Sequence, residues 1–521
     1  MPLYREFGTL VFHWDLRALR KYWPWISNQI IARFGDGPFS ELDVVKQVLQ
    51  YGYEITLLEF QRVTNQQRSL AFYKTVAGLY ENTIAVQGHL SKGEHLMHIK
   101  EQDFVANRNG LRLILERACE LDLNDAGLIA DVTEEERETI EELLYLSTWI
   151  WSFSQNVASQ MVLGDIQEVI VDPDRTLRIQ RKGDWDSTIV QRRTESILLG
   201  RTAIQDVGAV GELIGAFEEH FGIDYKSNSG FIPAPLGIHP FAEYPLLDDV
   251  SFDEMVRTFA SKSNMPFESA RLFYEGFSLR PENMPGLDQI IRKPGGQARH
   301  MYRPILVWKV DGERRMICGP KRWSESLALI AVNALQWREV PPEWLMNSGF
   351  QSFIKKKDDA HDSILEDRVE IALKARHPHY QRNVKALQVA ATEHIRIDGK
   401  GLGQIDFIFL SHAERKVYVV DCKYLRPRQD MIGYRSDQSN FERDYEPTME
   451  RKVDWFRANL LSVEKHFAFK YPEIDIGISS YTIEGMFLLN TPTMYCYNGR
   501  YRADAIVQFE EWLRSTSTVA R

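Results

Sequence analysis

The sequence predicts an α/β C-terminal domain, with a central mixed sheet flanked by helices, preceded by a large, mainly helical N-terminal region. Three observations predict this. Gln404–Leu410 and Val417–Tyr424 are strand-like runs, rich in β-branched and aromatic residues, on either side of the polar turn Ser411–Lys416. Both faces of that pair are mostly apolar, which suits a sheet covered by helices on each side. Helical periodicity brackets the pair, at His361–Arg376 before it and about Pro447–Phe467 after it, and dominates the first 225 or so residues.

The N-terminal region, residues 1–226, takes its helices from SELDVVKQVLQ after Ser40, from Thr133–Val162 with its acidic first turn, and from VGELIGAFEEHF. Glu168–Val171 and Thr176–Gln180, separated by Asp172-Pro173-Asp174, predict a small hairpin. The charge-free run Leu143–Gly164 carries Ser, Thr, Asn and Gln throughout, so it reads as a buried helix and not a membrane span. Ser227–Asp249, rich in Pro, Gly and Ser, is the first expected linker.

Residues 250–345 form an expected α+β middle region. Ile305–Val310, the turn Asp311-Gly312 and Arg314–Cys318 make a strong hairpin signal, followed by an apolar helix Ser324–Trp337. Lys321 and Arg322 stand at the entrance of that helix, where backbone N–H groups and cations suit a phosphate, with Trp323 placed to stack on a base. The plainer alternative is loop charges and a core-anchoring Trp. The polar run Lys355–Asp359 is the second expected linker and introduces a third domain at 358–521.

Within that domain, symmetric closure of the turn pairs Leu410 with Val417 and therefore Asp406 with Asp421. Directly opposed side chains lie about 4.5–5.5 Å apart at Cβ, where like charges repel, so the two acids call for a cation. Period-two alternation projects Lys423 from the side of Asp421. Ile408, Leu410, Val417 and Val419 share the acids' face, while Ile405, Phe407, Phe409, Tyr418, Val420 and Cys422 form the other. Unpaired charge in such surroundings costs several kcal/mol. A divalent ion resolves that cost; so, as the alternative, does a structural Asp–Lys ion pair. Leu365, Val369, Ala372 and Leu373 make one stripe of the preceding helix, with Glu366 at its border. Glu366 is either a third acid for the site or, with Ser363, half of a capping box; Glu370, one turn on, is the substitute candidate.

A helix bearing Glu366, a strand with Asp406 and a strand ending Val419-Val420-Asp421-Cys422-Lys423 together resemble the PD-(D/E)XK superfamily of restriction-endonuclease-like nucleases, over roughly residues 360–470. Ile405 stands where the family's name places Pro, and no Q-x-x-x-Y follows Lys423, so the exonuclease branch is not supported. The resemblance implies a restriction-endonuclease-like fold and hydrolysis of a phosphodiester by a metal-activated water. Mg²⁺, with Mn²⁺ able to substitute, would be held by Asp406, Asp421, the Cys422 backbone carbonyl and Glu366. Lys423 would orient or deprotonate the water. Arg426 and Arg428, immediately after Lys423, are the expected contacts to flanking phosphates. DNA is the expected substrate, with RNA the alternative, and prokaryotic defence against foreign DNA or mobile-element processing the expected setting. The competing class is a non-catalytic nucleic-acid-binding or scaffold protein that keeps a nuclease-like fold.

Composition bounds these readings. The 521-residue chain carries a formal net charge of −10, which disfavours indiscriminate nucleic-acid binding and confines contact to a local patch. The four cysteines, Cys119, Cys318, Cys422 and Cys496, are scattered without zinc spacing, and MPLYREFGTL has no apolar signal core, so a cytoplasmic location is expected. No Walker motif indicates a motor. His95 with His98, and His377 with His379, lack further ligands at zinc spacing. A second copy or a partner protein is expected to engage the N-terminal helices.

Overall fold

A computed structural model describes residues 3–14, 16–125, 133–172, 174–182, 209–223, 247–293, 299–337, 340–376, 379–397, 402–426, 428, 431–472 and 477–517. It is a mixed α/β protein with a helical N-terminal part and a sheet-containing C-terminal part. Chain contacts divide it into two compact units. The first takes in Met1–Trp185 and Asp206–Lys356, the second Lys357–Arg521.

The first unit is built on long helices, Leu42–Gln66, Leu70–Leu90, Glu101–Ala118 and Glu134–Val162. Thr133 and Glu136 close a capping box at the start of the last of these. No helix among the described residues is long and apolar enough to cross a membrane. The expected hairpins form as Ile166–Val171 with Leu177–Arg181, and as Ile305–Val310 with Glu313–Ile317. The second turns on Asp311 and Gly312, both at positive φ (49° and 87°), the backbone that a two-residue hairpin of right-handed twist requires. Strand Asp122–Leu123 pairs in parallel with Ile305–Val310, so residues on both sides of the boundary drawn at 226–250 belong to one sheet and one unit. The linker expected at Ser227–Asp249 lies largely outside the described residues. The boundary between the two units falls inside the expected linker Lys355–Asp359, between Lys356 and Lys357, and the run is helical, within α1 (Ser348–Arg376). Its Lys and Asp residues are good enough helix formers, and no Gly or Pro interrupts them.

The second unit holds one five-stranded sheet among the described residues. Its strands are β1 (Tyr380–Val384), β2 (Ile405–Ser411), β3 (Lys416–Lys423), β4 (Thr482–Leu489) and β5 (Arg502–Ala505), side by side in that order. The first three alternate antiparallel, and β3, β4 and β5 run parallel. The parallel β3–β4 step needs a crossover. It is supplied by α2 (Met431–Asn440), a π-helical turn Phe441–Tyr445, α3 (Glu446–Ala458) and α4 (Leu460–Lys470). One face of the sheet, with Ile408, Leu410, Val417 and Val419, packs on Met449, Val453 and Phe456 of α3 and Val463 and Phe467 of α4. The opposite face, with Phe407, Phe409, Tyr418 and Val420, packs on Leu365, Val369 and Leu373 of α1 and on Ile506, Phe509 and Leu513 of α5 (Ile506–Ser517). The predicted division of side chains between faces therefore holds, except that Ile405 packs with the α3 side.

Gly485 of β4 sets how close α3 comes to the sheet. A Cβ there would meet Met449 Cγ at 2.6 Å and Val453 Cγ2 at 2.9 Å, so only glycine admits the helix at this depth.

Candidate active site

The β2–β3 register is the expected one: Leu410 lies opposite Val417 and Phe407 opposite Val420, which carries Asp406 to the position facing Asp421. The two carboxyl groups share a face. Asp406 Oδ2 accepts the Cys422 backbone N–H at 2.7 Å. Asp421 is 5% exposed. Its Oδ1 accepts from Lys423 Nζ at 3.1 Å. Lys423 stands with its ammonium 4.9 Å from the centre of the Tyr445 ring, a cation–π contact supplied by the π-helical turn. Beyond Lys423, the Asn490 side chain accepts from Leu425 N at 2.5 Å and donates to Leu425 O at 2.8 Å, fixing the chain as it leaves β3. The group sits at the carboxyl end of β3, where it joins a parallel sheet, the usual place for ligands in open α/β sheets.

The acids divide their charge unequally. Burial and then the Asp421 charge push the Asp406 carboxyl up to about 7. Burial also works against the Asp421 charge, but Lys423 and Lys452 outweigh it and hold that carboxyl below its ordinary range. Below about pH 7 the pair therefore carries one proton, on Asp406, and one negative charge. Asp421 in turn raises the Lys423 ammonium, against the effect of burial, so this lysine stays charged at neutral pH.

Lys452 is the member that sequence reasoning missed. It is 3% exposed on α3 and donates to Gln404 O at 2.8 Å and to Asp421 Oδ2 at 3.3 Å. The signal was present: Met449, Lys452, Val453 and Phe456 follow the i, i+3, i+4, i+7 spacing of a buried stripe, and a lysine inside such a stripe requires an acid partner.

Glu366 does not join the two aspartates. It projects from α1, which covers the opposite face of the sheet, and its carboxylate receives Arg382 Nη2 at 3.0 Å and Nε at 3.2 Å. It still opposes the ionisation of Asp406 through space. The capping role fails as well, because Ser363 and Glu366 lie well inside α1 and not in its first turn. Glu370 is bound to Arg382, Lys374 and Tyr380. Cys422 points its thiol to the α1 side, where burial raises it far above the ordinary thiol range, so only its backbone faces the acids.

Of the expected phosphate contacts, Arg426 is half-buried just beyond the site. Arg428 is turned inward, with Nη2 2.9 Å from the buried Asp437. Lys321 and Arg322 are corrected outright. The helix begins at Pro320, earlier than expected, and its entrance is filled by the Glu81 carboxylate, which accepts the backbone N–H of Lys321 at 2.9 Å and of Arg322 at 2.8 Å. The Arg322 guanidinium is 1% exposed and bound to Glu325, Ser326 and Met301 O, and Trp323 is a core residue. The Glu81 carboxyl group thus occupies the place that a phosphate would take.

No group of three or more His, Cys, Asp and Glu side chains arranged to hold a metal ion occurs among the described residues. Asp406 and Asp421 are a pair. They nevertheless fit a hard divalent ion, since Mg²⁺ takes one or two carboxylates and keeps several waters. Burial and the neighbouring Asp421 charge raise the Asp406 carboxyl, and a cation between the two acids would relieve both effects. Comparisons with protein-family models, with curated proteins and with solved structures gave no match.

Proposed function

We propose that the second unit is a Mg²⁺-dependent phosphodiesterase of the restriction-endonuclease-like type, hydrolysing DNA. One observation carries the reading: the half-buried Asp406 and the buried Asp421 meet on one sheet face, and Lys423 donates to Asp421 at 3.1 Å. The strand order, an antiparallel hairpin leading into parallel strands with helices on both faces, supports the same reading.

In this mechanism Asp406 and Asp421 would hold the ion, with Asp406 giving up its proton. When bound, Mg²⁺ supplies charge stabilisation at the phosphate and lowers the pKa of water. Asp421, fixed from both sides by Lys423 and Lys452, presents its carboxylate without rearrangement. Lys423, braced by the Tyr445 ring, orients the attacking water and offers an N–H to the developing phosphorane charge. Arg426 supplies a local positive contact for a flanking phosphate, in keeping with a chain whose net charge of −10 leaves no general affinity for nucleic acid.

The test is incubation of the full chain with plasmid, linear duplex, single-stranded DNA and RNA, in Mg²⁺, Mn²⁺ or EDTA, beside Asp421→Ala. Metal-dependent cutting that the variant lacks supports the reading, and RNA cut in place of DNA corrects the substrate. No cutting of any substrate by the wild-type chain supports the alternative, a nucleic-acid-binding protein with a structural charge cluster. That alternative draws on Lys452 and Arg382, which already satisfy Asp421 and Glu366.

A further inference from the structure

At the other end of the sheet, roughly 20 Å from the aspartates at about 3.3 Å per strand residue, two histidines from separate segments meet. His379 precedes β1, His412 opens the β2–β3 turn, and His379 Nδ1 lies 2.9 Å from His412 Nε2. Thirty-three positions separate them in the chain. Sequence spacing had paired His379 only with its neighbour His377, which lies outside the described residues.

Both rings are held by the protein. His412 Nδ1 is 2.8 Å from the Tyr481 hydroxyl, next to β4, and the Tyr471 ring lies edge-on to His379, with centroids 5.0 Å apart. Tyr471 is itself fixed, since its hydroxyl accepts Tyr380 N at 3.1 Å and donates to Tyr380 O at 2.6 Å. The backbone joins the two segments as well, through Leu410 N to His379 O at 3.0 Å. A metal-binding histidine is commonly oriented by a partner on its second ring nitrogen, and Tyr481 stands in that place for His412.

The geometry points to a binding site for one divalent transition ion of the Zn²⁺ class, held by His379 Nδ1 and His412 Nε2 and completed by water. Zn–N bonds of 2.0–2.1 Å around a tetrahedral ion place two ligand nitrogens about 3.3 Å apart. The observed 2.9 Å contact needs to open by only a few tenths of an ångström, each ring turning so that its lone pair meets the ion. With the Tyr481 oxygen accepting the His412 Nδ1 proton, Nε2 offers its lone pair. His379 offers Nδ1 once its own proton resides on Nε2. Imidazole nitrogens suit Zn²⁺, Ni²⁺ or Cu²⁺ and not Mg²⁺, so this site and the carboxylate pair select different ions. The bound ion ties the entry of β1 to the β2–β3 turn.

The test is calorimetric titration of the full chain with Zn²⁺ in an Asp421→Asn background, which removes the carboxylate pair as a competing site, and requires no nuclease activity. One ion per chain is expected, undisplaced by millimolar Mg²⁺, with affinity falling about tenfold or more in His379→Ala and in His412→Ala. Zn²⁺ should also raise the melting temperature in the Asp421→Asn background, and not when His412→Gln is added to it. Absence of Zn²⁺ binding, an isotherm unchanged by either histidine substitution, or displacement by Mg²⁺ overturns the site.

Discussion

Asp406 and Asp421 face each other across the β2–β3 hairpin, with the Cys422 N–H donated to Asp406 Oδ2 at 2.7 Å. The closeness follows from register alone. Its consequence is one carboxyl raised above its ordinary range beside one held below it, and most of what can be measured at this site depends on that asymmetry.

On the proposed function, substitution of Lys423 would separate binding from chemistry. Lys423→Ala should leave Mg²⁺ binding measurable by calorimetry while reducing cleavage by at least about a hundredfold, the usual scale for a lost proton-transfer or charge-stabilising group. Cleavage at the wild-type rate would remove this lysine from the mechanism. Asp421→Ala should lose both binding and cleavage.

The pH dependence has a definite sign. Because the folded-state pKa of Asp406 is raised to about 7, its contribution to metal-free stability is fully present below the unfolded value near 4 and is lost as pH rises through about 7. Asp421 acts in the opposite sense, its contribution being lost only in acid. Urea unfolding in EDTA should therefore show stability declining between about pH 4 and 7, with a flatter profile in Asp406→Asn. If the pair holds Mg²⁺ as proposed, binding would expel the Asp406 proton, and affinity should rise up to about tenfold per pH unit below 7 and level off above it.

Lys452→Met should leave Asp421 buried with half its compensation. Breaking a buried pair costs about 3–5 kcal/mol, visible as a lower urea midpoint. The remaining acid pair should hold its proton to higher pH, moving the rise in Mg²⁺ affinity upward. A purely mechanical role for the lysine would lower the midpoint and leave the pH profile in place.

Gly485→Ala should push α3 outward. Overpacking of this kind costs about 1–3 kcal/mol, and the displaced helix carries Lys452 away from Asp421. The variant should thus show a milder form of the Lys452→Met pH shift although residue 485 touches neither group. An unchanged profile would mean that Met449 and Val453 adjust without moving the helix.

The hairpin was legible because strand alternation and turn length are local: once Leu410 meets Val417, every other pairing and face follows. What was illegible depended on distant chain. Ser363 and Glu366 mimic a helix start, and only the continuity of α1 through Lys355–Asp359 denies it. The entrance at Lys321 and Arg322 reads as an anion site and is one, but its anion is Glu81, 240 positions earlier. Lys452 looked like one charge among many because its burial depends on a crossover docking over Gly485.

The 31 positions between Asp421 and Lys452 also order events in time. The β2–β3 ribbon is complete before the residues of α3 have been synthesised, so both acids leave the ribosome without the second ammonium. Until that helix seats itself, solvent reaches the pair and both acids keep ordinary carboxylate behaviour. Burial of the pair then couples maturation of the unit to acidity, and refolding near pH 6 followed with a pH indicator dye should register net proton uptake as the Asp406 carboxyl is raised.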